Sequence, residues 1–173
     1  MKDILLEKIR TREATIGVVG LGYVGLPLAV VFAEAGFRVI GIDVDLNKVE
    51  AINRGDSYIE DVPAEQVARL VGSDSPTLTG TLEAREETAA RRGGRAPVAL
   101  DRSSAPALQR ANALSATTDF AALAHCDAVS ICVPTPLGKT GDPDISYIVD
   151  VTEQLAEHLH AGMLIVLEST TYP

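Results

Sequence analysis

The sequence predicts an α/β protein built on a doubly wound parallel sheet with helices on both faces. Three runs rich in Val and Ile are apolar at nearly every position, at residues 15–20, 37–43 and 127–133. Segments with apolar residues at helical spacing alternate with them, for example at 146–160. Because a strand that is apolar on both faces must be covered on both, this alternation indicates a parallel sheet between two helical layers.

The predicted elements can be assigned along most of the chain. Gly36 and Gly55 each follow a helical segment and are plausible helix stops. We predict helices over 4–12, 23–35, 48–54, 64–71 and 146–160, and strands over 15–20, 37–43, 127–133 and 163–167.

Composition restricts the possible partners. A chain of 173 residues with 46% hydrophobic residues is long enough for one core. The net charge of -9 argues against nucleic acid or an anionic membrane as a partner. The apolar stretches are too short for a membrane span, and the charged N-terminus is no secretory signal. With only two cysteines, Cys126 and Cys132, we expect no disulfide framework, no metal site and a cytoplasmic location.

One segment, at about residues 72–113, departs from the α/β pattern. It is poor in large apolar residues and rich in Ala, Arg, Ser, Thr and Gly. Its six arginines are interspersed with five acids and no aromatic residue, which disfavours nucleic-acid binding because no base could stack there. We interpret it as an irregular surface insertion.

A G-x-G-x-x-G motif lies between the first predicted strand and the helix that follows it. The first glycine permits the tight turn, the second lets backbone approach a pyrophosphate, and the third lets helix and strand pack closely. The start of the helix offers unpaired N–H groups and partial positive charge to the phosphates. We therefore expect a dinucleotide to bind at Gly20, Leu21, Gly22, Tyr23, Val24 and Gly25.

An acid ends the second predicted strand. Asp43 is in position to accept hydrogen bonds from the adenosine ribose hydroxyls, and it would repel a 2′-phosphate, so NAD is favoured over NADP. Lys48 lies one turn into the next helix, where it either leans over the ribose or is a solvated surface charge. Tyr58, in the loop "GDSYIEDVPAE", is expected to pack locally and is not assigned to the site.

Several motifs in order give the chain a family resemblance: "GVVGLGYVGLPLA", "GIDVD", "ICVPTPL", "DPDISYIVDVTE" and "LESTTYP". By these, residues 1–71 and 114–173 resemble the UDP-glucose/GDP-mannose dehydrogenase family, and within it the UDP-N-acetylglucosamine 6-dehydrogenases. The resemblance implies a Rossmann-type NAD-binding domain, a further strand in "SATTDF", a UDP-sugar substrate, a role in polysaccharide biosynthesis and a homo-oligomeric full-length enzyme.

The resemblance also implies a reaction and further site residues. Family members oxidise the sugar C6 alcohol to a carboxylate by two hydride transfers to NAD, with a cysteine that captures the aldehyde. Carried over by motif, Thr117, Pro134 and Thr135 would contact the cofactor, the two threonines on its nicotinamide side. Glu168 would act as a general base, unless it caps the following turn, and Thr170, at the same strand end, would contact the cofactor.

The departures from the family pattern are as informative as the matches. The nucleophilic cysteine, its helper lysine and the sugar-binding domains of the family correspond to positions after Pro173. Cys126 and Cys132 are expected to be buried small hydrophobic residues. We therefore expect the chain to bind NAD without turning over a UDP-sugar alone. Two alternatives remain: a 3-hydroxyacid or 6-phosphogluconate-type dehydrogenase domain, and a non-catalytic nucleotide-sensing module.

Overall fold

The computed structural model describes residues 1–72, 112–137 and 143–169, so the interior of the insertion predicted at about 72–113 lies outside it. Within the described residues a 3-10 helix spans Phe120–His125. The other elements, in chain order, are α1 (Lys2–Thr11), β1 (Thr15–Val19), α2 (Gly25–Glu34), β2 (Arg38–Ile42), α3 (Leu46–Asn53), α4 (Ala64–Val71), β3 (Leu114–Thr117), β4 (Ala128–Ile131), α5 (Ser146–Ala156) and β5 (Leu164–Leu167).

The five strands form one parallel sheet in the order β3-β2-β1-β4-β5. At the end of β1, Val19 lies opposite Ile42 of β2 and Ile131 of β4. The predicted parallel sheet is therefore confirmed. The strand order reverses at β1, and in open α/β sheets ligands bind at the carboxyl ends of the strands at such a reversal.

The sheet separates two apolar clusters, as a doubly wound fold requires. On one face, residues of β1 such as Val18 pack against α2, α3 and α4. On the other face, Val19, Ile42 and Ile131 pack against the 3-10 helix and α5. Because successive side chains of a strand point to opposite faces, a continuous apolar run serves both clusters.

The helices follow from local sequence. In α2 the buried residues are small or apolar, which lets this helix lie close to the sheet. The described helices include none long and apolar enough to cross a membrane, and the longest, α5, has 11 residues.

Two observed helix boundaries differ from the predicted ones, at the start of α3 and at the end of α5. Helix α3 begins at Leu46 rather than at residue 48, because the Asp45 carboxylate accepts the N–H of Asn47 at 3.0 Å. Helix α5 ends at Ala156 rather than at residue 160, and Leu159 is exposed. Strand β3, expected only from the family resemblance, pairs with β2 along its whole length.

Candidate dinucleotide site

The turn between β1 and α2, residues 20–25, is termed the glycine turn. Gly20 has a φ of 90°, which L side chains rarely adopt, and its N–H donates to the Ile42 carbonyl at 2.8 Å. A Cβ at this position would lie 2.8 Å from the Cys132 carbonyl oxygen. A Cβ on Gly25 would lie 1.7 Å from the Gly20 carbonyl oxygen. Only glycines therefore allow α2 to start this close to the end of β1.

The outer part of the glycine turn faces open space. Nothing lies within 4 Å of the position of a Cβ on Gly22, and Tyr23 and Val24 are 79% and 56% exposed. No acceptor among the described residues takes the Gly22 N–H. Unpaired N–H groups at the start of a helix, with its partial positive charge, favour an anion at this position.

Asp43 follows β2 and lies against the glycine turn. Its carboxylate is only 7% exposed. Oδ2 accepts the N–H of Leu21 at 2.8 Å, and Oδ1 accepts the N–H of Asp45 at 3.0 Å. The carboxylate and the turn, 22 residues apart in sequence, are therefore in direct contact.

Lys48 partly compensates the charge of this buried carboxylate. Its Nζ donates to Asp43 Oδ2 at 3.2 Å, and its side chain is 34% exposed. A carboxylate accepts about four hydrogen bonds, and here three come from the protein. Asp43 thus retains acceptor capacity for a ligand hydroxyl.

A cavity of about 560 Å³ opens beside Asp43, at the carboxyl ends of β1, β2 and β4. This volume lies within the usual range for small-molecule sites. Of the residues assigned to the site from sequence, Gly20, Asp43, Lys48 and Pro134 line the cavity. Its walls are otherwise largely apolar and include Val19, Ile42, Val44, Phe120, Val133 and Val151.

One face of α5 completes the cavity and was not anticipated from sequence. Tyr147, Asp150, Val151 and Gln154 all line it. Their offsets of three, four and seven residues place them on one side of a helix. The apolar spacing at 146–160 predicts a helix, but it does not show which face of that helix meets the cavity.

The threonines predicted for the nicotinamide side occupy different places. Thr117, at the end of β3, lies on the Asp43 side of the sheet, because β3 pairs with β2. Its hydroxyl accepts the N–H of Asp119 at 3.0 Å, and its carbonyl accepts the N–H of Asp43 at 3.3 Å. Thr117 therefore supports the Asp43 segment, and its contact with the nicotinamide stays a prediction. Thr135 follows β4 next to Pro134 but does not line the cavity.

Glu168 lies apart from the cavity, at the carboxyl end of β5. Its N–H donates to the Ile131 carbonyl at 2.9 Å, and its side chain is exposed. Together with Leu164 and Val166 it lines a smaller cavity of about 180 Å³. The structure therefore does not bring Glu168 together with Asp43. Thr170 lies outside the described residues.

Both cysteines are buried, as expected. Cys126 is 1% exposed and Cys132 is 8% exposed. Burial, followed by the charge of Asp127, raises the pKa of Cys126 to about 11. Burial likewise raises the pKa of Cys132. Because the thiolate is the nucleophile, thiols with raised pKa values are poor candidates for covalent catalysis.

Comparison with protein families gives one match that covers most of the chain. Residues 14–90 and 99–173 match the model described as the UDP-glucose/GDP-mannose dehydrogenase family, NAD binding domain. Among curated proteins, the UDP-N-acetyl-D-mannosamine dehydrogenase of Escherichia coli K12 is 30% identical over 158 residues, or 91% of this chain. An NDP-N-acetyl-D-galactosaminuronic acid dehydrogenase of Ralstonia nicotianae is 33% identical over 157 residues.

Solved structures of nucleotide-sugar dehydrogenases are also similar to most of this chain. A ternary complex of GDP-mannose dehydrogenase from Pseudomonas aeruginosa is similar with a TM-score of 0.65 and 28% identity, over 91% of this chain and 29% of that one. The UDP-D-ManNAc dehydrogenase of Pyrococcus horikoshii gives the same TM-score and identity over 92% of this chain. The chain spans 28% of the length of both curated relatives.

Proposed function

Because this chain belongs to the UDP-glucose/GDP-mannose dehydrogenase family and corresponds to its NAD-binding domain, we propose that it serves an enzyme that oxidises a UDP-N-acetylhexosamine to its uronic acid. The substrate class is supported by the names of the relatives, which act on N-acetylated nucleotide sugars. The family resemblance drawn from the motifs is confirmed, and the hydroxyacid-type alternative is set aside.

The contact between Asp43 and the glycine turn is the main support for the proposed binding mode. Asp43 Oδ2 accepts the Leu21 N–H at 2.8 Å, so the carboxylate lies where the glycine turn begins and also lines the cavity. In the proposed complex the glycine turn binds the diphosphate, Asp43 accepts the ribose hydroxyls, and the adenine enters the cavity beside Tyr147 and Gln154. The Lys48 ammonium lies over the same ribose.

Cofactor selectivity follows from the same carboxylate. A 2′-phosphate would bring two further negative charges against a buried carboxylate that has one lysine partner. Bringing the phosphate charges close to the Asp43 carboxylate, away from water, would cost free energy. The site is therefore expected to select NAD over NADP.

NAD, when bound, supplies the hydride acceptor for the oxidation. The residues of this chain bind and orient it, and we propose Glu168 as the base that would activate water near the sugar. Both cysteines of the chain are buried, so neither is suited to capture an aldehyde. We therefore propose that this chain binds NAD but does not turn over a UDP-sugar alone.

Isothermal titration of the chain with NAD and with NADP tests the proposal. NAD should bind, NADP should bind at least tenfold more weakly, and Asp43→Asn should weaken NAD binding about tenfold because a charge-assisted hydrogen bond is lost. Asp144→Asn is a matched control, since that carboxylate also accepts a backbone N–H, from Ser146 at 3.0 Å, but does not line the cavity. Tight NADP binding would contradict the proposal, as would uronic acid formed by this chain alone.

A further inference from the structure

The loop between α3 and α4 reaches back to the glycine turn through one side chain. The Tyr58 hydroxyl donates to the Leu21 carbonyl at 2.6 Å, across 37 positions of sequence. The loop itself is anchored by Ile59 and Val62, which are 6% and 4% exposed. Tyr58 therefore extends from a fixed support to the first part of the glycine turn.

Leu21 is held at three points. Its N–H donates to Asp43, its carbonyl accepts from Tyr58, and its side chain is fully buried. The side chain lies over Gly41 of β2, where a Cβ would come within 2.8 Å of it. By contrast, the neighbouring positions of the turn, Tyr23 and Val24, are exposed.

The carbonyl of Leu21 belongs to the same peptide unit as the N–H of Gly22. In a trans peptide the C=O and the N–H point in opposite directions, so a group that holds the oxygen also orients the N–H. The peptide bonds of the described residues are all trans. Tyr58 binds the oxygen from the loop side, which turns the Gly22 N–H away from the loop.

We propose that Tyr58 is a positioning residue for the dinucleotide: its hydroxyl fixes the Leu21–Gly22 peptide so that the Gly22 N–H faces the diphosphate. The inference rests on the proposed function, because it concerns the same glycine turn. It assigns to Tyr58 a role in affinity for the diphosphate that reaches beyond local packing.

The environment of the phenol suits a permanent donor. Burial, together with the negative charges of Asp43 and Asp45, raises the pKa of Tyr58 above its ordinary value of 10.0. The hydroxyl therefore keeps its proton at neutral and moderately alkaline pH. Ionisation would replace a donor with an acceptor facing the Leu21 carbonyl.

The test compares Tyr58→Phe with the unsubstituted chain, using NAD, ADP-ribose and adenosine as separate ligands in calorimetry. Loss of one neutral hydrogen bond should raise the Kd for NAD and for ADP-ribose about fivefold. Adenosine has no diphosphate, so its Kd should stay the same. Thr11→Ala is the matched control: it removes a hydroxyl that donates to the Glu7 carbonyl at 3.0 Å in α1, and it should leave every Kd unchanged.

Hydrogen exchange gives a second measurement that needs no ligand. Amides of the glycine turn should exchange faster in Tyr58→Phe than in the unsubstituted chain, and NAD should restore part of the protection. Unchanged NAD affinity in Tyr58→Phe would overturn the role of Tyr58 alone. An equal loss of affinity for adenosine and for NAD in Tyr58→Phe would also overturn the role of Tyr58. Failure of the unsubstituted chain to bind NAD would instead contradict the proposed function.

Discussion

At the scale of single residues, two glycines of one motif have opposite surroundings. A Cβ on Gly25 would lie 1.7 Å from the Gly20 carbonyl oxygen, a distance no structure can accept without moving α2. A Cβ on Gly22 would meet nothing within 4 Å. The fold therefore requires a glycine at position 25. The open space at Gly22 is not needed for packing, but it allows a ligand to approach the backbone.

This contrast predicts different phenotypes for two alanine substitutions. Gly25→Ala should lower the free energy of unfolding by about 3 kcal/mol, because overpacked sites must shift backbone. Gly22→Ala should change it by less than about 0.5 kcal/mol, as is usual away from packed sites, yet weaken NAD binding at least tenfold. Urea unfolding and calorimetry measure the two effects. A Gly22→Ala variant that binds NAD normally would show that the diphosphate does not approach this position.

At the scale of elements, α1 is held to the fold mainly by polar contacts. It contains no buried residue, although Ile9 packs against the core. Lys8 Nζ donates to Asp127 Oδ1, and the N–H of Thr15 donates to Asp127 Oδ2 at 2.9 Å. A single carboxylate just before β4 thus connects α1, the start of β1 and β4.

The protonation of Asp127 should therefore affect stability in acid. Its burial opposes ionisation, but the hydrogen bonds from Lys8 and from the Thr15 N–H outweigh it and lower the pKa of Asp127 below the ordinary 3.8. A carboxyl group whose pKa is lowered by folding stabilises the protein above its unfolded-state pKa. That contribution is lost as the pH falls through the lower folded-state pKa.

Asp127→Asn should lower the free energy of unfolding by about 1.5 kcal/mol at neutral pH, the usual size for a hydrogen bond to a charged group. The difference from the unsubstituted chain should shrink as the pH falls below 3.8. Urea unfolding across a pH series measures it, with Asp3→Asn in the exposed first turn of α1 as control. A difference that stays constant with pH would contradict the role of the charge.

At the scale of the whole molecule, no other strand of residues 1–72, 112–137 and 143–169 covers the outer edge of β5. Leu164, Ile165, Val166 and Leu167 are between 38% and 43% exposed, although all four are large and apolar. Among the described residues only β4 pairs with this strand. Strands that are apolar on both faces belong inside a sheet, and an exposed apolar edge is a template for association.

The 173-residue chain is therefore expected to self-associate with increasing concentration. Ile165→Lys should reduce this association, because a charge on an edge strand opposes pairing. Val31→Lys is the matched control, since Val31 is 58% exposed on α2, outside β5. Sedimentation velocity over a concentration series measures the effect. Equal behaviour of the two variants would exclude β5 as the associating surface.

The oligomeric state of the full-length enzyme stays a prediction.

Much of the fold could be predicted because its signals are local. The apolar runs of β1, β2 and β4 and the cap residues act over a few positions, so the class and the parallel sheet followed directly. Helix ends are harder to predict: α5 ends at Ala156 and not at residue 160. They depend on where the chain must turn to reach the next strand.

The glycine turn and the acid that ends β2 are predictable from the amino-acid sequence, because a strand, a tight turn and a helix N-terminus depend on residues that are consecutive or nearly so. The side chains that complete the site from distant parts of the sequence become visible in the folded chain. Tyr58 meets Leu21 across 37 positions, and the Tyr147 face of α5 closes the cavity beside Asp43. The fold likewise places Thr117 beside β2 and Glu168 away from the cavity. Such contacts depend on strand order and on the packing of helices across the sheet, which no short window of sequence contains.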